Sequence, residues 1–335
     1  MYMYHCGSAA GWSDLFFFKS LDPSPKFRPR FALYGDLGNV NAQSLPRLQK
    51  EVQAAMYDMI LHIGDMAYDM HDDNARVGDA FMRQIEAIAA YVPYMTTPGN
   101  HENAYNFSNY VSRFSMPGGD QHSNFYSFNL GPAHFIGFST EFLFYREYGT
   151  QQIFRQYNWL ERDLQEATKP SSRAERPWII TMAHRPMYCS TRDGDDCDQH
   201  DGVTRTGIPS LKVPGLEDLF YKYGVDLELW AHEHVYERLW PLYNFKVMNG
   251  SYAEPYTNPR APVHIITGSA GCQEDHDQFT QDKPQWSALR NSDYGYTRMT
   301  IHNATHLYLE QVSDDKGGAL VDSIWIIKST HGKYN

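Results

Sequence analysis

The sequence predicts an α/β fold, and three observations carry the prediction. Between Phe31 and about Trp240 short runs rich in β-branched or aromatic residues alternate with turns rich in Gly, Asp, Asn or His and then with helical patterns. The chain of 335 residues, 42% of them apolar, is long enough to bury a substantial core. After Trp240 the helical periodicity fades into short strands and turns.

The predicted strands of the first part are Phe31–Tyr34, Met59–Ile63, Tyr94–Thr97, Trp178–Met182 and Asp226–Trp230. Between the first two, Leu45, Leu48, Val52 and Met56 recur at helical spacing, with Ser44 as the expected cap and Pro46 tolerated in the first turn. This is a crossover helix, and hence a βαβ unit. Tyr157, Leu160, Leu164 and Ala167 form a second amphipathic stripe before a break at Lys169-Pro170, and Leu216, Leu219, Phe220 and Tyr223 form a third. Val263–Thr267 and Thr305–Val312 read as strands of the later part, and Tyr2 to about Pro25 reads as strand and turn, too short to bury a core alone.

Composition narrows the function classes. Forty carboxylates against 29 Lys and Arg leave a net charge of −11, which repels a polynucleotide backbone. No run of about 18 apolar residues is present, and Met1–Cys6 lacks the basic-then-apolar order of a signal peptide. The four cysteines contain no Cys-x-x-Cys pair; Cys189 and Cys197 could close a short loop, while Cys6 and Cys272 are free or paired elsewhere. Asn106-Phe107-Ser108, Asn249-Gly250-Ser251 and Asn303-Ala304-Thr305 match the glycosylation acceptor pattern, as suits a protein of the secretory route.

Chemistry concentrates just past the strands. Asp36 follows the first run, Asp65 and Tyr68 the second, Asn100 and His101 the third, His184 the fourth, and His232 with His234 the fifth. Functional groups of α/β proteins gather beyond the carboxyl ends of strands, so these residues are expected to converge. Any one motif is usually a polar turn. The whole set supplies one carboxylate able to bridge, plus terminal oxygen and nitrogen ligands for two ions. No Gly-x-Ser-x-Gly elbow, P-loop or dinucleotide fingerprint competes with this reading.

With these motifs, and with Val235-Tyr236-Glu237-Arg238 and Ser292-Asp293-Tyr294-Gly295-Tyr296, the chain from about Phe31 to Lys328 resembles the purple acid phosphatases within the calcineurin-like metallophosphatases. The resemblance implies a four-layer sandwich, two mixed β-sheets flanked by helices. It implies that Asp36, Tyr68 and His234 hold ferric iron, that Asn100, His184 and His232 hold a divalent ion (Fe(II), Zn or Mn), and that Asp65 bridges both. His101 is then the general acid for the leaving group, or alternatively a histidine that orients Asn100. The expected reaction is hydrolysis of small phosphate monoesters by metal-activated hydroxide at acidic pH, with no covalent phosphoenzyme. A further substrate-binding residue is expected in the loop 185–201, where His200 and Arg185 are the candidates. The resemblance also implies an N-terminal β-sandwich domain, with residues 1–27 its final part and linker and residues 28–335 the catalytic domain. A secreted, extracellular or lysosomal location follows from the same source; oligomeric state does not.

Two positions depart from the family's pattern: Ala231 stands for Gly before His232, and Thr181 for Val before His184. The first matters if residue 231 needs a positive φ, which Ala resists. Two rival readings share much of the motif set. A phosphodiesterase or protein phosphatase with two divalent ions would not need Tyr68, and a non-catalytic iron-binding protein would not need every ligand type retained.

Overall fold

A computed structural model describes residues 1–192, 194 and 197–334. Its framework is two mixed sheets. The six-stranded sheet runs, in spatial order, Ala319–Ile327, His306–Ser313, Gly295–Ile301, Arg30–Tyr34, Met59–Ile63 and Tyr94–Thr97. The seven-stranded sheet runs Ser287–Asn291, Tyr236–Leu239, Val263–Thr267, Leu227–Trp230, Trp178–Met182, Ala133–Gly137 and Tyr126–Leu130. In each, the strands followed by the motif residues pair in parallel, and antiparallel strands complete the sheet.

The reason these segments are strands is burial on both faces, which is why they read as near-continuous apolar runs. Phe31, Leu33, Met59, Leu61 and Ile63 of one sheet share a core cluster with Phe135, Ile180, Leu229 and Ile265 of the other, so this cluster lies between the sheets. Phe31 and Phe135 meet there with ring centroids 5.1 Å apart. The alternate residues Ala32, Tyr34, Ile60 and Ile179 face outward and pack with Leu48, Phe81, Ile85, Leu160, Leu164 and Phe220 from the helices. The result is helix, sheet, sheet, helix, as expected from the sequence.

The predicted strands are all present within a residue or so at each end, and the helices occupy Leu45–Gln53, Gln151–Ala167 and Glu217–Tyr223. Three details differ from the sequence reading. Ser44 does not cap its helix: its hydroxyl donates instead to Asp314 Oδ2 at 2.7 Å, tying the helix to the C-terminal strands. The simple strand-then-helix alternation is interrupted by the hairpin of Tyr126–Leu130 and Ala133–Gly137, whose polar Ser127, Asn129 and His134 hide its strand character. The motif-bearing strands also belong to two sheets, three to one and two to the other, so convergence crosses the sandwich.

Residues 1–18 form two small antiparallel ribbons, Tyr2–Tyr4 with Phe16–Phe18 and Gly7–Ser8 with Gly11–Trp12. They rest on the domain through Tyr4, whose hydroxyl donates to Ala90 O at 2.8 Å, and through Phe16 and Phe17 against Tyr91.

Candidate metal centre

Each motif residue lies two to five positions past the end of its strand, where the backbone turns sharply. Asp36, Asp65, Tyr68 and His232 have φ of 59°, 49°, 56° and 70°. Left-handed conformations cost non-glycine residues on the order of 1–3 kcal/mol each, and they persist where surrounding structure holds them. Here they turn the side chains into one pocket. Ala231 is absent from the positive-φ residues, so the sharp turn falls on His232 and the alanine is unstrained. The Ala231 Cβ fills the space beside Gly35, where an added Cβ would lie 2.4 Å from it.

Two groups of donor atoms result. In the first, the Tyr68 hydroxyl lies 2.8 Å from His234 Nε2 and 3.2 Å from Asp36 Oδ1, and His234 Nε2 is 3.5 Å from Asp36 Oδ1. In the second, His184 Nε2 is 3.1 Å from both Asp65 Oδ2 and Asn100 Oδ1, and the rings of His184 and His232 are 4.9 Å apart. One ligand atom each from Asp65, His184 and His232 falls within a 4.8 Å cluster. Ligands at about 2.1 Å from one ion and at right angles to each other are separated by about 3 Å, so both groups fit an ion. The donors are oxygens and imidazole nitrogens, a set suited to iron, zinc or manganese.

The pocket is built for close approach. An added Cβ at Gly99 would lie 2.2 Å from Asp65 Oδ1, and one at Gly268 would lie 2.7 Å from Asp36 Oδ2. Asp36 Oδ2 also accepts the backbone N–H of His232 at 3.0 Å, joining the ends of the two sheets. Orientation of the imidazoles comes from their other nitrogens. His184 Nδ1 meets Ile63 O at 2.9 Å, and His234 Nδ1 meets Asp275 O at 2.9 Å. Such contacts leave each Nε2 lone pair for a cation.

The electrostatics favour positive charge. Burial alone would raise the carboxyl of Asp65, but the charges of His184 and His101 hold it well below the usual range. Burial pushes the carboxyl of Asp36 up. Burial would lower His184, yet Asp65 and Asp36 raise it to about 10, and His234 is raised by Asp36 against the same opposing effect. A field that draws protons onto these imidazoles also draws metal cations.

His101 stacks on Tyr68 with centroids 4.3 Å apart. Its Nδ1 is 3.1 Å from Asp69 Oδ1, and its Nε2 is 3.5 Å from Glu274 Oε1 and 4.0 Å from Asp65 Oδ2. Desolvation would lower this imidazole, but Asp65, Glu274 and Asp69 together push it up to about 9.

Sequence reasoning missed several supporting residues. Glu102 is 2% exposed and accepts the backbone N–H groups of Asp65, Met66 and Gly99 at 2.9, 3.0 and 2.9 Å, fixing the turn that aims Asp65. Glu233, fully buried between the paired histidines, meets Thr191 Oγ1 and Cys197 Sγ. Cys189 and Cys197 form a disulfide, so the short loop is closed, while Cys6 and Cys272 are free. The buried thiol of Cys272 lies 3.5 Å from His234 Nδ1. Of the loop candidates, Arg185 reaches the centre, whereas the ring of His200 stacks on Phe245 at 4.9 Å. Asp193, Asp195 and Asp196 of that loop lie outside the described residues.

Residues 29–236 match the calcineurin-like phosphoesterase family, and residues 261–323 match the iron/zinc purple acid phosphatase-like protein C family. The chain is 64% identical to acid phosphatase type 7 of Danio rerio, over 99% of this chain and 75% of that one, and 58% identical to its Homo sapiens counterpart over the same shares. It is 30% identical to the Fe(3+)-Zn(2+) purple acid phosphatase 12 of Arabidopsis thaliana, over 97% and 68% of the two chains. Among solved structures, the purple acid phosphatase PPD1 of yellow lupin superposes with a TM-score of 0.75 at 25% identity, covering 95% of this chain and 57% of that one.

Proposed function

Because this chain belongs to the purple acid phosphatases, within the calcineurin-like phosphoesterases, we propose that it hydrolyses small phosphate monoesters at acidic pH through a ferric and a divalent ion. Asp36, Tyr68 and His234 would hold the ferric ion, Asn100, His184 and His232 the divalent ion, and Asp65 both. The observation that carries this reading is the pair of adjoining donor groups, each packed at ligand-to-ligand spacing, in a pocket whose field attracts cations. When bound, two such ions supply a hydroxide nucleophile at low pH and neutralise the charge of the phosphoryl group.

The chain's own residues supply positioning and a proton. Glu102 holds the backbone around Asp65, and the Asp36 carboxylate holds the backbone of His232, so ligands from two sheets keep a fixed separation. His101 keeps its Nδ1 on Asp69 and presents Nε2 to the acidic pocket. As the ester P–O bond breaks, the leaving oxygen takes that Nε2 proton, and the products are an alcohol and inorganic phosphate. Tyr68 separates this reading from a two-divalent-ion phosphodiesterase. Burial, joined by the charges of Asp36 and Asp65, pushes its phenol well above the usual range, so only a strong Lewis acid would hold it as phenolate.

Residence on the secretory route belongs to the same proposal. It is supported by the Cys189–Cys197 disulfide and by the exposure of Asn106 and Asn303 in two acceptor patterns. No helix among the described residues is long and apolar enough to cross a membrane.

The test is an assay of p-nitrophenyl phosphate hydrolysis on metal-loaded protein beside Asp65→Asn, with metal content measured on both. The proposal expects turnover by the wild type only, and a larger metal loss in the variant than any single terminal-ligand change causes. A variant with both metals and wild-type turnover would remove the bridging role, and an inert metal-loaded wild type would favour an iron-binding function.

A further inference from the structure

Two segments of the chain meet twice beside His101. The first meeting is Asp69 with His101, Oδ1 to Nδ1 at 3.1 Å. Two residues after Asp69 and four after His101 the same segments meet again, the rings of His71 and Tyr105 standing edge to face with centroids 5.8 Å apart. Two residues of chain span at most about 7 Å, so the second contact lies next to the first. It is also the outer one: the His101 side chain is 17% exposed, that of His71 30%, and Tyr105 72%.

The backbone that presents Tyr105 is strained. Tyr105, Asn106 and Phe107 are three successive non-glycine residues in the left-handed region, with φ of 55°, 55° and 63°. L-residues resist this conformation even singly, and three in a row persist only where the surroundings hold them. Here both ends are held. Phe107 is buried in the core, its ring 5.6 Å from that of Phe142, and its backbone N–H donates to Asn103 O at 3.1 Å. Asn103 is tied in turn to the segment of the candidate ligand Asn100, its Nδ2 donating to Asn100 O at 2.6 Å. The turn thus runs from the metal pocket to the core and leaves Tyr105 in solvent between them. A single exposed aromatic is ordinary, but one carried by a strained turn at the rim of a site points to a use there.

In the reaction proposed above, the leaving oxygen takes its proton from His101, so the group attached to that oxygen extends past His101 along the rim that carries His71 and Tyr105. Resting on that phosphatase reading, we propose that Tyr105, braced by His71, is a specificity determinant that stacks on an aromatic leaving group and makes aryl phosphates the preferred class of small monoester. A ring face offers another ring contacts that an alkyl group matches poorly. In this role neither residue touches the phosphoryl group, so they decide which ester is held and not which bond breaks.

The experiment compares metal-loaded wild type with Tyr105→Ala and Tyr105→Phe, reading metal content and the kcat and KM for phenyl phosphate and for ethyl phosphate. Tyr105→Ala is expected to keep both metals and to lower kcat/KM for phenyl phosphate by roughly 3- to 10-fold through a higher KM, the scale of one aromatic pair. Its kcat/KM for ethyl phosphate should stay within about twofold of wild type, well inside that scale. Tyr105→Phe keeps the ring and should keep the wild-type preference. If the alanine variant does not fold, Tyr105→Asn is measured in its place, since Asn tolerates the left-handed backbone. Equal losses on the two esters overturn the inference, as does loss of a metal or a Tyr105→Phe that behaves like Tyr105→Ala. If the wild type hydrolyses neither ester, the phosphatase reading fails and this inference with it. If the wild type hydrolyses both and Tyr105→Ala keeps its preference, this inference alone fails.

Discussion

Asp65, Asp69 and Glu274 ring His101, and their charges raise its imidazole against the cost of burial. Cations bound as proposed would oppose that effect and so favour release of its proton. In the proposed reaction, His101→Ala keeps both metals and slows hydrolysis by roughly 10²–10⁴-fold, the usual contribution of a general acid. Esters with good leaving groups lose less, because their oxygen departs without a proton. Measuring rates across a series of leaving groups checks this, and an equal loss for all of them would assign His101 a purely orienting role. At the same scale, the two departures from the family pattern have separate answers. Ala231 is accommodated because the left-handed turn belongs to His232, and Thr181 lies in the strand, away from any ligand position.

Thr181 sits on Trp178–Met182 with its side chain fully buried, and its Oγ1 has no hydrogen-bond partner among the described residues. A buried hydroxyl without a partner costs about 1–3 kcal/mol, so Thr181→Val, nearly equal in shape, should stabilise the strand by about 1 kcal/mol. A rise in the urea midpoint at unchanged slope is the expected result, and a fall would mean that the hydroxyl has a partner after all. The strands were legible because burial on both faces leaves apolar runs with little alternation, as in Met59–Ile63. Their ends were legible because the ligand residues break those runs abruptly. Glu102 and Glu141 were not legible, since each is defined by a partner far along the chain, Asp65 and Arg185, that only the folded turns bring near. The hairpin Tyr126–Gly137 was missed for the opposite reason: its polar residues pair laterally, with Ser127 and His134 both on Asp163, and dilute the apolar signal.

Across the whole molecule, the candidate metal centre lies at the carboxyl ends of the central strands, and a buried cluster of charged side chains lies at the other end. Asp226, fully buried just before Leu227–Trp230, meets Arg173 at 3.1 Å, His331 at 3.2 Å and Lys328, which follows the last strand of the opposite sheet. Burial alone would raise its carboxyl, but the charges of Arg173, Lys328 and His331 hold it well below the usual range. A depressed folded value stabilises fully above the unfolded value near about 3.9 and loses that contribution only as pH falls below it. Asp226→Asn should therefore destabilise the fold by about 3–5 kcal/mol at neutral pH, with a gap from wild type that narrows under acid. Equal denaturation midpoints at neutral pH would contradict this locking role. With the sandwich fixed at one end, the sheets hold two donor groups together at the other, and as proposed these groups bind one iron and one divalent ion, with Tyr68 on the iron. The direct measurement is metal analysis with the visible spectrum of oxidised protein, wild type beside Tyr68→Phe. One iron and one divalent ion per chain and a broad phenolate-to-iron band are expected in the wild type, with the band lost and measurable phosphatase activity kept in Tyr68→Phe. An oxidised wild type without that band, or a variant that retains it, would mean that Tyr68 is not an iron ligand and would favour a pair of divalent ions.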